Sequence, residues 1–189
     1  ICGQDLPKEI IKNHIGEPKF KKILKAFNKD KTLAKELFIG QQCDSCLSAL
    51  KLRRPVQHGS FTNSEDIFPI FNHIFSRLKL NSEEIKYHPI LISEALLNPT
   101  KNRENIASVL FEKFEIQNLI FASQPILSLF ATSNTTGTIL ESGEGVTQSC
   151  IVFEGYSIPH SFERYDYGGG DVTKYLYTLL HNLGLYLDT

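Results

Sequence analysis

Two carboxylates and two glycines fall within five residues at Glu141-Ser142-Gly143-Glu144-Gly145. Glycine permits positive φ and close backbone approach, so successive N–H groups can converge on an anion such as phosphate. Carboxylate oxygens are the ligands that hard divalent cations take, and Glu141 and Glu144 are spaced to face such an ion beside the anion. The same residues also describe an ordinary hairpin, with a strand before the turn and another over Gln148 to Phe153; spacing alone does not separate the two. A second candidate is Gly168-Gly169-Gly170-Asp171 ahead of an amphipathic helix carrying Val172, Leu176, Leu179 and Leu180. There Asp171 reads as the N-cap and the open glycine backbone as a second anion-binding turn. Cys43 and Cys46 form a C-x-x-C, but zinc needs four ligands and no second pair follows at a suitable spacing.

These groups need elements to hold them. Thr136 to Leu140 is a short run of strand formers leading into the glycine turn. Ahead of it, Gln124-Pro125 opens a helix with proline in its first turn, and Asn118 to Ser123 reads as a buried strand. His88 to Ser93 is continuously apolar, which predicts a strand covered on both faces. From Asn63 the spacing of Ile67, Phe71, Ile74, Phe75 and Leu78 predicts a helix with an acidic start, beginning late or bending at Pro69. Asn102 to Phe114 predicts a second, with Ile106, Val109, Leu110 and Phe114 on one stripe. Strand and helix therefore alternate, the signature of an α/β layer fold. Residues 1 to 20 read as short strands joined by turns, and Phe38 to Gly40 as another strand. Residues 19 to 37, rich in lysine and without periodicity, read as a mobile surface loop that a partner orders.

Composition sets the limits. A chain of 189 residues, 41% hydrophobic and 11% aromatic, can build a substantial core. A net charge of −1 gives no general footprint for nucleic acid, the one basic cluster being Lys19 to Lys31. Four cysteines do not make a disulfide framework in a chain this long, and no apolar run is long enough for a signal or membrane helix. The expected compartment is the cytosol or nucleus. Methionine is absent even from position 1, so either the start has been removed or the chain begins inside a longer protein.

Several segments, in order, resemble the actin and actin-related protein family: R-P-V-Q-H-G at 54–59, H-P-I-L-I-S-E-A-L-L-N-P at 88–99 and K-N-R-E-N at 101–105. They continue with S-Q-P-I-L-S-L-F-A at 123–131, T-T-G-T-I-L-E-S-G-E-G-V-T at 135–147, F-E-G-Y-S-I-P-H-S at 153–161 and G-G-D-V-T-K-Y-L at 169–176. The resemblance implies the actin-like ATPase lobe of ribonuclease H-like α/β type, a mixed sheet flanked by helices, with only about half of the family fold present. It implies first-lobe segments at 1–18 and 54–130, a small insertion subdomain with a mobile loop at 19–53, and the end of the first lobe with the start of the second at 131–189. The family's first phosphate hairpin and its adenine wall fall outside this stretch.

Residue by residue, the resemblance places Gln124 on the glutamine that positions the attacking water, and Glu141 and Glu144 on the two aspartates of the second phosphate hairpin. Glu141 falls to the metal and its water shell. Ser142, Gly143, Glu144, Gly145 and Val146 fall on the phosphate-binding turn, and Gly169 with Asp171 on the flank of the nucleotide cleft. His58 matches the histidine behind the phosphates. Gln148 stands where actin has a histidine implicated in hydrolysis, and Gly170 where it has an arginine. Those departures imply a diverged actin-related protein, with K-N-R-E-N and P-H-S leaning toward the centractin type of the dynactin filament. The implied cofactor is ATP or ADP with Mg or Ca in the complete protein, and none held tightly by these residues alone. The implied partners are other actin-like subunits or a multiprotein complex, with no direct nucleic acid and no membrane insertion. The implied function is a structural, nucleotide-holding subunit of a cytoplasmic, cytoskeletal filament. An active ATPase driving assembly and a nuclear chromatin-remodelling scaffold stay open.

Overall fold

The computed structural model describes residues 6–19 and 37–186. The interior of the expected mobile loop, Cys2 and the last three residues lie outside the described residues. The chain divides into two compact units, the first drawn from the described residues of 1–56, 61–88 and 105–117, the second from those of 57–60, 89–104 and 118–189.

In the first unit β1 (Ile15–Pro18) is the central strand of an antiparallel sheet, between β2 (Phe38–Ile39) and β3 (Leu50–Arg53). Residues 6–14, expected to contain short strands, form none; Pro7 removes a ladder donor there. Phe38, Cys43 and Leu50 close the core of this sheet. Gly16 is required by that packing, because a β-carbon would stand 2.8 Å from Leu50 Cδ1 and 3.2 Å from Cys43 Sγ. A hairpin of β4 (Val56–Gln57) and β5 (Ser60–Phe61) follows.

The expected helix after Asn63 resolves into a 3₁₀ turn, Ser64–Asp66, then α1 (Ile67–Arg77). Asn63 caps the turn by accepting from the Glu65 N–H at 3.1 Å. Pro69 is third in α1, where a backbone N–H has no partner inside the helix, so proline costs nothing there. Asp66 is 1% exposed and paired with Arg53, which also reaches Glu17 at 3.2 Å. Next, α2 (Ser82–Tyr87) begins at a reciprocal cap in which Asn81 and Glu84 each accept the other's N–H at 2.8 Å. The later part of α3 (Thr100–Lys113) adds Ile106 and Leu110, both buried. Phe114, just beyond it, stacks on Phe68 and meets Phe75 edge-on, with centroids 5.2 and 5.0 Å apart.

The second unit pairs β6 (Ile90–Glu94) in parallel with β7 (Leu119–Ser123), and α4 (Gln124–Ala131) leaves β7 directly. Next come β8 (Gly137–Ser142), β9 (Thr147–Phe153), β10 (Tyr156–Ser157) and β11 (Glu163–Tyr165), with β9 bonded to all the others. Then α5 (Gly169–Asn182) follows. Leu96, Leu129, Ile139, Cys150 and Val152 form the core, with Ile126 and Phe162 against it.

One expectation is corrected here. The apolar runs at 88–93 and 118–123 are not covered on both faces, since Leu91 and Ile120 remain 46% and 56% exposed. Burial alternates along β6 with the period of two that a one-sided strand shows; apolar composition alone could not reveal it.

Because Leu110 has no exposed surface, Leu110→Ala is expected to cost about 2–5 kcal/mol of stability through lost burial and the cavity left behind. Urea unfolding followed by circular dichroism measures it; a loss below about 1 kcal/mol would contradict the packing described.

Candidate functional site

The site begins with strand register. Antiparallel pairing of β8 and β9 sets Glu141 opposite Gln148, Ile139 opposite Cys150 and Ser142 opposite Thr147. Alternation then puts Ile139, Glu141, Gln148, Cys150 and Val152 on the face that packs toward α4. Gln148 is 3% exposed and fully used. Its Oε1 accepts the Leu96 N–H at 2.7 Å, while its Nε2 donates to Glu141 Oε2 at 2.9 Å and reaches Gln124 Oε1 at 3.5 Å. The other carboxylate oxygen of Glu141 accepts from the Ser128 hydroxyl. Gln124 and Ser128 stand one turn apart on α4 and so share a face. A helical pair and a cross-strand pair thus close a polar ring. Beneath it burial pushes the Cys150 thiol above its ordinary range, and the Glu141 charge adds to the shift.

The turn at 143–146 is closed by the Gly143 N–H, which donates to the Val146 carbonyl at 2.9 Å. That donor is therefore not available to an anion, and neither Gly143 nor Gly145 has positive φ. Close approach is what demands glycine at 145, where a β-carbon would stand 3.0 Å from the His58 nitrogen. His58 returns the contact, its Nδ1 lying 2.7 Å from the Gly145 carbonyl. At Gly143 nothing among the described residues demands glycine, because the nearest atom to an added β-carbon is 3.8 Å away.

Behind the turn sits the start of α5. Gly169 and Gly170 donate their N–H groups to the carbonyls of Gly143 and Glu144, each at 2.8 Å. A β-carbon on Gly168 would come within 2.6 Å of the Gly143 oxygen. Two expectations are corrected by this docking. The glycine run is not a second anion site, since its donors are spent on the hairpin. Asp171 is not the N-cap but the third helical residue, its Oδ2 accepting from Gly168 at 3.2 Å. The Lys174 ammonium, bonded to it at 3.1 Å, holds its carboxyl below the usual carboxylate range, and the Gly168 N–H adds to that. Glu144 is exposed, and its carboxylate lies over α5: an added β-carbon at Gly170 would meet its Oε1 at 2.8 Å.

A cavity of about 490 Å³ opens in front of the turn. Of the sequence-predicted residues, Gln124, Glu141, Gln148 and all of 142–146 line it, together with Gly59 and Ala95. Gly169, Asp171 and His58 do not line it; Gly169 and His58 bond to the turn, and Asp171 closes the first turn of α5 behind it. Sequence reasoning missed two residues. Ser128 was signalled by its four-residue spacing from Gln124. Arg164, with a side chain 10% exposed, donates to the Leu96 carbonyl at 2.8 Å and the His58 carbonyl at 2.7 Å, and no local motif marks it. Among the described residues no cluster of three or more His, Cys, Asp or Glu side chains is placed to hold a metal ion.

A family profile described as Actin matches residues 2–187. The chain belongs to the actin family. It is also 40% identical over 191 residues to an Actin-like protein of Neurospora crassa, an alignment covering 100% of this chain and 48% of that protein. The chain therefore spans about half the length of the curated relative it matches. With the family comes the actin domain fold that the motifs implied.

The actin-family hairpin ranks its own glycines. An added methyl must displace backbone at Gly168, crowds His58 at Gly145 and makes only an ordinary contact at Gly143. Thermal melts of the three alanine variants are expected to order accordingly. Gly168→Ala should lose about 2–3 kcal/mol and Gly145→Ala about 1 kcal/mol, with Gly143→Ala near wild type. A Gly143→Ala loss equal to that of Gly168→Ala would contradict the geometry.

Proposed function

We propose that this actin-family chain supplies one wall of a nucleotide phosphate site. In that reading it belongs to a structural, nucleotide-holding subunit of an actin-like cytoskeletal filament or complex of the dynactin type. The observation that carries the reading is the turn at 143–146. There, among the described residues, the N–H groups of Gly145 and Val146 make no hydrogen bond within the protein, beside Gly143, where an added β-carbon would meet nothing nearer than 3.8 Å. Unspent N–H groups next to glycine are what a phosphate oxygen requires. Gly145 and Val146 would hold the phosphate by backbone, Gly143 would close the turn beside them, Ser142 and Glu144 would stand at the rim, and Gly169 would support the turn from behind at the helix start that Asp171 closes.

Family members in general hold nucleotide with a divalent metal, and the fit here is partial. Glu141 gives both oxygens to Ser128 and Gln148, so it suits an ion already carried by phosphate and met through water, not an all-protein cage. When bound, the metal would offset phosphate charge.

Holding is favoured over hydrolysis because Gln148, at the position of the family's histidine, has its amide engaged on both sides. An assembly-driving ATPase is the second reading, favoured by Gln124, which lines the cavity with one contact at 3.5 Å. Single-turnover hydrolysis separates the two: burst release of phosphate within minutes supports the second, nucleotide retained unhydrolysed the first. Partners would be other actin-like subunits or a multiprotein complex, in the cytoplasm or, for a chromatin-remodelling scaffold, the nucleus. No helix among the described residues is long and apolar enough to cross a membrane.

Two measurements test the site. The isolated 189-residue chain is expected to bind Mg-ATP weakly, because an open half-site cannot bury the ligand; calorimetry yielding micromolar or tighter affinity would refute that. In the protein as the cell makes it, Glu141→Gln should weaken Mg-dependent nucleotide binding about tenfold, whereas Glu141→Asp should keep it. Equal Mg²⁺ dependence in wild type and both variants would sink the nucleotide assignment.

A further inference from the structure

We infer that Ser128 is a positioning residue for this site, holding Glu141 in the one orientation that its added length permits. The inference rests on the nucleotide reading above and assigns it a residue that the glycine turn does not contain. Three observations carry it.

First, Glu141 leaves β8 on the face that meets α4, opposite Gln148 in the ladder. Three torsions set where the carboxylate oxygens of a glutamate lie, and tying both oxygens restricts all three. Second, both are tied, and to different elements. Oε2 takes the Gln148 amide at 2.9 Å from β9, and Oε1 takes the Ser128 hydroxyl from α4. Gln148 is itself anchored by the Leu96 N–H at 2.7 Å, so Ser128 is the independent second clamp. Third, Ser128 lies one helical turn beyond Gln124, which reaches the same Gln148 amide from the helix's first residue. A single face of α4 therefore orients both ends of the ring. A hydroxyl suits this position: it donates to a carboxylate without adding charge, so the anion stays intact toward the cavity.

The clamp depends on the length of the acid. Aspartate at 141 would draw its carboxylate back by one methylene and away from α4. The Ser128 hydroxyl should then matter only when residue 141 is glutamate, a coupling that a merely structural serine would not produce.

The test is a double-mutant cycle in the protein as the cell makes it, using Mg-ADP, with affinity measured with and without Mg²⁺. Ser128→Ala, which improves helix propensity and so should fold, is expected to lower the Mg²⁺ enhancement of affinity about tenfold, the scale of losing a partner behind a metal-facing group. Ser128→Thr, which keeps the hydroxyl, should stay within about twofold of wild type. In the Glu141→Asp background Ser128→Ala should change nothing. Without nucleotide, Ser128→Ala and Glu141→Gln should be non-additive in melting temperature, since both act on the Ser128–Glu141 hydrogen bond, the first by removing its donor and the second by removing the charge of its acceptor. If Glu141→Gln lowers the enhancement while Ser128→Ala leaves it at the wild-type value, the positioning role is overturned and the nucleotide reading stands. If Glu141→Gln leaves it unchanged as well, the nucleotide reading has failed and the inference falls with it. An equal Ser128→Ala effect with glutamate or aspartate at 141 also overturns the clamp.

Discussion

Leu96 has both of its backbone polar groups tied to side chains: its N–H donates to Gln148 Oε1 at 2.7 Å, and its carbonyl accepts Arg164 Nη1 at 2.8 Å. Leu96 lies two residues beyond the end of β6, Gln148 lies in β9 and Arg164 in β11, so this one residue joins three strands through hydrogen bonds that are not part of any ladder. Removing either partner would leave a buried backbone group unpaired at about 1–3 kcal/mol. The other consequences follow from the two side chains so fixed. Gln148, held at its oxygen, must point its amide N–H groups toward Glu141. Arg164, held at one nitrogen, must offer another to the His58 carbonyl at 2.7 Å. The position of His58 then limits how far Gly145 can move, because the two residues are in contact at their backbones.

The strongest parts of this arrangement were legible because they depend on local chemistry. Strand-forming residues on both sides of S-G-E-G can fold only as a hairpin, and its register follows once the turn length is set. Pro125 placed the start of α4 at Gln124, and Asn63 with the acids after it placed the start of the turn before α1. Other parts were not legible because they depend on what comes to lie nearby. Gly143 and Gly145 look alike in sequence, yet only the second is crowded, by His58, a residue 87 positions away. Asp171 looks like an N-cap, but Gly169 and Gly170 spend their N–H groups on the hairpin and the helix starts three residues earlier, with Gly168 at the cap. Arg164 carries no signal at all: its role exists only because β11 pairs with β9.

Docking α5 onto the turn also explains why donors that look suitable for phosphate are unavailable there. A helix N-terminus attracts any acceptor that reaches it first, and the nearest are the carbonyls of Gly143 and Glu144. Consuming those donors fixes the turn in space, which leaves the N–H groups of Gly145 and Val146 facing no protein acceptor among the described residues. The hairpin is thus pre-organised by the glycines behind it, and a flexible glycine turn becomes a rigid one without any side chain inside it.

The two glutamates of the hairpin then differ in a way that their shared chemistry conceals. Glu141 faces α4 and uses its length to reach Ser128. Glu144 faces α5, and its carboxylate occupies the volume above Gly170, where even a β-carbon would stand 2.8 Å from Oε1. Resemblance to actin puts an aspartate at each of these positions and an arginine at 170. A side chain at 170 would have to share that volume with the Glu144 carboxylate, which glycine leaves free. The carboxylate over the first turn of α5 interacts favourably with the positive end of that helix. Each glutamate is therefore met by one of the protein's own helices, Glu141 by α4 through Ser128 and Glu144 by the first turn of α5, while both still line the cavity in front of the turn.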